Sequence, residues 1–126
     1  MHRSRIGVVL LDFPADTFES AAVFWSGAVG AAREPEEGDP DYEAIGRAGS
    51  LKLFLQRTGL GTPSRVHLDV ETDDVAAEVA RLGALGATID TEFKHFTVMR
   101  DPAGLVFCVV PVQTGVDFEA GATTWP

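Results

Sequence analysis

Residues 65–87, RVHLDVETDDVAAEVARLGALGA, contain the clearest secondary-structure pattern of this chain, and the fold class is inferred from it. In its first part, residues 65–71, apolar and polar residues alternate strictly after the opening arginine. Successive side chains of a strand point to opposite faces, so this period of two predicts a half-buried β-strand. The polar face of that strand consists of His67, Asp69 and Glu71.

The second part of the stretch predicts a helix over residues 74–85. Asp73 and Asp74 favour its start, because carboxylates are stabilised at the positive end of the helix dipole. Gly86 favours its end, since glycine readily adopts the left-handed conformation that terminates many helices. The stretch is therefore a strand followed directly by a helix.

A similar unit occurs earlier in the chain. The decapeptide AVFWSGAVGA at residues 22–31 aligns with EVARLGALGA at residues 78–87, with both glycines in phase. Upstream, LLDF at residues 10–13 resembles HLDV at residues 67–70 at nearly the same offset. We infer two copies of one unit of about fifty-five residues, and a first helix over residues 17–29.

Shorter strands follow the helix in each copy, so the element order is β-α-β-β-β twice. The predicted strands are residues 5–13, 41–46, 50–56, 65–71, 87–90, 94–100 and 105–110. The acidic segment 33–41 is predicted to be a solvated loop, although a ragged edge strand could precede the strand at 41–46. This order predicts an α+β protein, a single domain with helices outside a curved sheet. The predicted parts are module 1 at about 5–57, a linker at 58–64, module 2 at about 65–112 and a C-terminal tail at 113–126.

Composition narrows the classes of function. The chain has 126 residues with ten basic and nineteen acidic side chains, a net charge of −9. Its basic residues form no cluster, which argues against a nucleic-acid partner. The lone Cys108 excludes an internal disulfide and a cysteine-based zinc framework. The apolar run at residues 6–11 is too short to cross a bilayer, and we expect a cytoplasmic protein with no membrane partner.

Several of these segments together resemble the vicinal oxygen chelate superfamily, which includes glyoxalases, extradiol dioxygenases and bleomycin-resistance proteins. The segments are RVHLDV at 65–70 with Asp73 and Asp74, LGALGA at 82–87, FTVMRDPAG at 96–104 and FCVV at 107–110. The resemblance covers roughly residues 5–112 and is greatest to small glyoxalase-like proteins. It implies two tandem βαβββ modules in a curved, U-shaped mixed sheet with the helices on its convex side, and a homodimer.

The resemblance also implies where a metal would bind. In the metal-dependent members, His and Glu side chains on the first and last strands of each module hold one divalent ion. Those positions fall here on His67, Cys108, Leu53 and either Val8 or Leu10. Only His67 matches, whereas hard divalent ions need several oxygen or imidazole ligands. We therefore expect no metal cofactor, with His67 the one inherited ligand if a divalent metal binds.

Two functions are consistent with this pattern. The first is a metal-independent protein that binds a small molecule, of the resistance or sequestration type. Resistance proteins of the superfamily are acidic, need no protein-bound metal and bind cationic drugs between paired chains, so a cationic ligand is one candidate here. The alternative is a metal-dependent lyase, isomerase or dioxygenase with an unusual ligand set. A third interpretation is a scaffold or subunit that binds no ligand.

Six residues are the candidate ligand-binding residues: His67, Asp69, His95, Cys108, Gln56 and Arg100. Asp69 would have to turn inward beside His67 to contribute. Structural roles stay open for others: His95 could cover the sheet, Arg100 could form an exposed salt bridge, and Cys108 could be a small buried apolar residue. In the tail, Phe118 and Trp125 favour a dimer contact, because a free monomer would gain little by exposing them; a disordered terminus is the alternative. At the other end of the chain, His2 is expected to lie in a frayed start.

Overall fold

The computed structural model describes residues 1–126 and contains nine strands and three helices. The elements are β1 (His2–Pro14), α1 (Phe18–Val29), β2 (Glu34–Glu36), β3 (Asp39–Ala48), β4 (Leu51–Thr58), β5 (Arg65–Thr72), α2 (Val75–Ala84), β6 (Thr88–Glu92), β7 (Thr97–Arg100), β8 (Val106–Pro111), α3 (Val116–Gly121) and β9 (Thr123–Trp125). Parallel and antiparallel strand pairs both occur. The predicted α+β class with a mixed sheet is confirmed. No helix is long and apolar enough to cross a membrane.

The acidic segment 33–41 is not a solvated loop but contains the edge strand that was the alternative. It contains β2 and the start of β3, which pair in antiparallel register through Glu34↔Ala44 and Pro35↔Glu43. All three residues of β2 are exposed. Charged side chains and proline are common on edge strands, where they discourage pairing with other chains, so the polar composition that indicated a loop is compatible with an edge strand.

The first compact unit is residues 9–66. Its strands lie in the hydrogen-bonded order β2-β3-β4-β1, and α1 contacts β3. The buried core consists of Phe18 and Ala22 of α1 with Ile45 of β3 and Leu55 of β4. Helix and strands therefore bury their apolar sides against each other in this unit.

The second compact unit is residues 1–8 with residues 67–126. Its strands lie in the order β1-β5-β8-β7-β6, and β9 pairs with the start of β1. The pair β5–β8 is parallel, while β6–β7 and β7–β8 are antiparallel. Helix α2 contacts β8, and Met99 and Val109 are fully buried. The first eight residues are thus grouped with the C-terminal half of the chain.

The C-terminal tail is an ordered part of the second unit, so a disordered terminus is excluded. Phe118 of α3 is fully buried, and Trp125 of β9 lies opposite His2 of β1. The Trp125 indole donates to Ser4 Oγ at 2.8 Å, and the Arg81 guanidinium lies 3.7 Å from the centre of its ring. Because these aromatic residues pack within their own chain, they no longer argue for a dimer.

The chain start is not frayed, contrary to our expectation. His2 is buried, and its Nε2 lies 2.6 Å from Oε2 of Glu78 on α2. Glu78 is also buried and accepts further hydrogen bonds from Ser4 and Arg81. The N-terminal strand is thus joined to α2 by a polar cluster that the sequence pattern did not indicate.

Candidate functional site

The polar face of β5 is its buried face. His67, Asp69 and Glu71 are exposed by only 6%, 7% and 0%, whereas Val66 is 51% exposed. Asp69 is therefore turned inward beside His67, the condition on which its contribution depended. Three polar side chains follow one another along a single buried column.

This column faces away from α2. On β1, Ser4 donates to Glu78 of α2, while the next residue, Arg5, donates to Glu71 of β5 at 2.9 Å. Adjacent residues of a strand point to opposite faces of the sheet, so Glu71 and α2 lie on opposite faces. His67 lies on the same side as Glu71, as predicted.

Strand β8 places Cys108 beside the column. In the parallel pair β5–β8, Asp69 is the register partner of Cys108. The Cys108 Sγ, a ring nitrogen of His67 and a carboxylate oxygen of Asp69 all lie within 4.8 Å of one another. His67 Nε2 is 3.6 Å from Asp69 Oδ1. The structure thus joins three of the six candidate residues in one cluster.

The other side of Cys108 is aliphatic. Val98 of β7 is its antiparallel register partner, and Val106 and Val110 lie two residues away on β8. Residues two apart on a strand share a face, so these valines lie on the face that carries Cys108. The cluster therefore combines a polar side formed by β5 with an apolar side formed by β7 and β8.

Glu71 ends the polar column and is held by donors from two distant segments. It accepts hydrogen bonds from Arg5 Nε, from the backbone N–H groups of Gln113 and Thr114, and from Thr114 Oγ1. Gly7 lies against its carboxylate, where an added Cβ would overlap it. Because these hydrogen bonds occupy the Glu71 carboxylate, Asp69 is the carboxylate of the cluster that can contact a ligand. Glycine within an apolar strand can signal a close approach of this kind, and Gly7 was the signal available in the sequence.

The other three candidate residues lie outside the cluster. His95 is exposed on a bend between β6 and β7 rather than on the predicted strand, because Phe93 N–H donates to Phe96 O and closes the turn. Arg100 forms an exposed salt bridge, as one of our alternatives had it, donating to Asp90 at 2.8 Å. Gln56 belongs to the first unit and donates to Tyr42 Oη at 2.7 Å.

The residues do not fit the divalent-ion site of the metal-dependent members. Val8 and Leu10 are buried aliphatic residues, and Leu53 packs against the core of the first unit. None of them offers a donor atom. The remaining inherited positions supply one imidazole, His67, and one thiol, Cys108, and even with Asp69 the set holds a single oxygen ligand. Mg²⁺ and Mn²⁺ prefer sites built mainly from oxygen.

Comparison with known proteins identifies the family. The model of the glyoxalase-like domain matches residues 8–110. Among solved structures, a hypothetical protein from Bacillus halodurans superposes with a TM-score of 0.63 at 8% identity, covering 87% of this chain and 95% of that one. An NAD-dependent benzaldehyde dehydrogenase from Legionella pneumophila superposes with a TM-score of 0.57 at 16% identity, covering 84% of this chain and 98% of that one.

A third structure is 2,2',3-trihydroxybiphenyl 1,2-dioxygenase from Sphingomonas wittichii, with a TM-score of 0.55 at 17% identity, covering 88% of this chain and 41% of that one. At such identities these likenesses concern the fold alone. No curated protein matches the sequence. The resemblance inferred from the sequence is confirmed by the match over residues 8–110, and the chain belongs to the glyoxalase-like domain family of the vicinal oxygen chelate superfamily.

Proposed function

We propose that this chain binds a small molecule at the cluster of His67, Asp69 and Cys108, and that binding needs no metal ion. The observation that carries the proposal is the composition of this face. Buried polar groups converge on β5 beside an aliphatic surface on β7 and β8. Small-molecule sites are mostly apolar with a few placed polar groups that orient the ligand.

Metal independence is supported by the donor set. Two of the four inherited ligand positions are occupied by aliphatic side chains, and Glu71 is fully engaged by Arg5 and the segment 113–114. We propose a role in sequestration or resistance, because a protein that binds a small molecule without transforming it lowers the free concentration of that molecule. The net charge of −9 favours a cationic or uncharged ligand over an anion.

The alternative is a metal-dependent lyase, isomerase or dioxygenase. It is favoured by one observation, the approach of three donor-type atoms to within 4.8 Å of one another. An ion held by three protein ligands keeps positions open for substrate oxygens. The two functions predict different metal contents in the purified protein.

The test uses protein purified without an affinity tag. Elemental analysis should find no stoichiometric metal, and EDTA should leave the melting temperature unchanged. A thermal-shift screen of small molecules should find ligands, since a compound that binds only the native state raises its melting temperature. His67→Ala should weaken binding by about 1–3 kcal/mol if a buried partner is left unsatisfied.

The matched control is Lys94→Ala, which truncates an exposed side chain on the β6–β7 bend and should bind as the unaltered protein does. Stoichiometric Ni, Zn, Mn or Fe, lost together with a turnover activity in His67→Ala, would establish the alternative instead. The homodimer and the cytoplasmic location stay predictions. A free cysteine is compatible with the reducing cytoplasm.

A further inference from the structure

The only cysteine of the chain lies in an environment suited to reaction. Cys108 is half-buried and forms no disulfide. The thiol has His67 and Asp69 on its polar side, with the mutual distances already given. Register holds this arrangement, since Asp69 is the partner of Cys108 across two paired strands and His67 precedes Asp69 by two residues.

A thiol, an imidazole and a carboxylate that lie close together can act as a nucleophile, its general base and the group that orients the base. The imidazole accepts the thiol proton as the sulfur attacks, and the carboxylate orients the ring and stabilises its charged form. Such contacts are often long in the absence of a ligand and shorten when one binds. A purely structural cysteine needs neither an imidazole nor a carboxylate beside its sulfur.

We propose that Cys108 is a nucleophile that captures electrophilic small molecules, and that its substrate class is uncharged α,β-unsaturated carbonyl compounds. This inference rests on the proposed function, because it places the same small-molecule site at the same cluster. It adds a covalent step and a chemical class of ligand.

The step is a conjugate addition. The sulfur of Cys108 forms a bond to the β-carbon, and the π pair of the carbon–carbon double bond moves to the α-carbon by way of the enolate. The thiol proton passes to His67 and from there to the α-carbon. The product is a thioether that contains every atom of both reactants, so the step needs no oxidant, reductant or leaving group.

The residues around the Cys108 thiol favour one chemical class of electrophile. Val98, Val106 and Val110 offer an apolar surface to the carbon body of the ligand. Asp69 and the acidic chain disfavour an anionic electrophile. Arg5 donates to Glu71 rather than standing as an open anion-binding group. An uncharged conjugated carbonyl satisfies all of these conditions.

The experiment measures the addition rate of methyl vinyl ketone to the folded protein by intact-mass spectrometry, with N-acetylcysteine as the reference thiol. We expect a single adduct on Cys108 that forms on the order of a hundredfold faster than on the reference, the scale of general-base assistance. Acrylate, an anionic analogue, should lose this advantage. His67→Gln should bring the rate to within a few-fold of the reference, and Asp69→Asn should give an intermediate rate.

Lys94→Ala should react as the unaltered protein does, and imidazole added to His67→Ala should restore part of the rate if the lost group is the base. A rate no greater than that of N-acetylcysteine, or one unchanged by His67→Gln in a variant with native circular dichroism, would overturn the inference. Cys108→Ser separates the two proposals. Reversible binding by Cys108→Ser and the unaltered protein, with no rapid adduct on the latter, leaves the proposed function standing and removes only the covalent step.

Discussion

Gly7 lies against the buried carboxylate of Glu71, and Gly7→Ala should destabilise the protein strongly. An ideal Cβ at this position would overlap the carboxylate and lie 2.8 Å from Glu71 Cγ. Glu71 is 0% exposed and is held by Arg5 and by the segment 113–114. The Glu71 side chain cannot move aside without losing those hydrogen bonds, so the added methyl group should separate Glu71 from Arg5 and from the segment 113–114.

The magnitude follows from two opposing terms. Breaking a buried ion pair costs about 3–5 kcal/mol. Replacing glycine by alanine otherwise gains about 0.4–1 kcal/mol, because the unfolded chain has fewer conformations to lose, and Gly7 does not have a positive φ that alanine would resist. The net expectation is a loss of about 2–5 kcal/mol in the free energy of unfolding. Urea denaturation monitored by circular dichroism measures it.

Gly27→Ala is the matched control. Gly27 lies within α1, and a Cβ there meets no atom within 4 Å. Alanine is a better helix former than glycine by roughly 1 kcal/mol, so this variant should be more stable than the unaltered protein. If Gly7→Ala is as stable as the unaltered protein while Gly27→Ala behaves as expected, the prediction is wrong, because Glu71 then has an alternative position that keeps its hydrogen bonds.

Three further predictions concern the second unit and the assembly. Burial acts to raise the pKa of Glu78, but hydrogen bonds from Arg81, His2 and Ser4 outweigh it and hold that pKa below its ordinary value. Ionised Glu78 therefore stabilises the folded state above its unfolded-state pKa, and this stabilisation is lost as the pH falls through its folded-state pKa. In urea titrations between neutral and acidic pH, the free energy of unfolding of Glu78→Gln should fall less than that of the unaltered protein. Trp125→Ala removes the stacking on Arg81 and the bond to Ser4, and it should cost about 1–3 kcal/mol in the same assay, whereas no loss would mean that β9 does not hold the start of β1. Light scattering at micromolar concentration should give the mass of a homodimer, and a monomer mass would contradict that prediction.

Local signals in the sequence were sufficient to predict most helices and strands. The helix predicted over 74–85 is observed over 75–84, and its N-cap, Asp74, accepts a hydrogen bond from Ala77 N–H at 3.0 Å. Gly86 adopts the predicted positive φ. Such signals act between residues within one turn or one strand, so no distant contact is needed to interpret them. The tail was the exception, because the order of α3 and β9 depends on packing against β1 and α2.

The alternation of β5 and the helix that follows it could be predicted from residue order over short distances, and the repeat and the family from comparison of whole segments. Which face of β5 is buried could not be predicted in this way, because it depends on contacts between distant segments. Hydrophobicity alone would bury Val66 rather than His67, yet the polar column is buried because Arg5 and Thr114 supply partners to Glu71 from sixty-six and forty-three residues away. Parallel pairing with β8 then places Cys108 beside Asp69. Spacing along the chain cannot specify a register between residues that are thirty-nine positions apart.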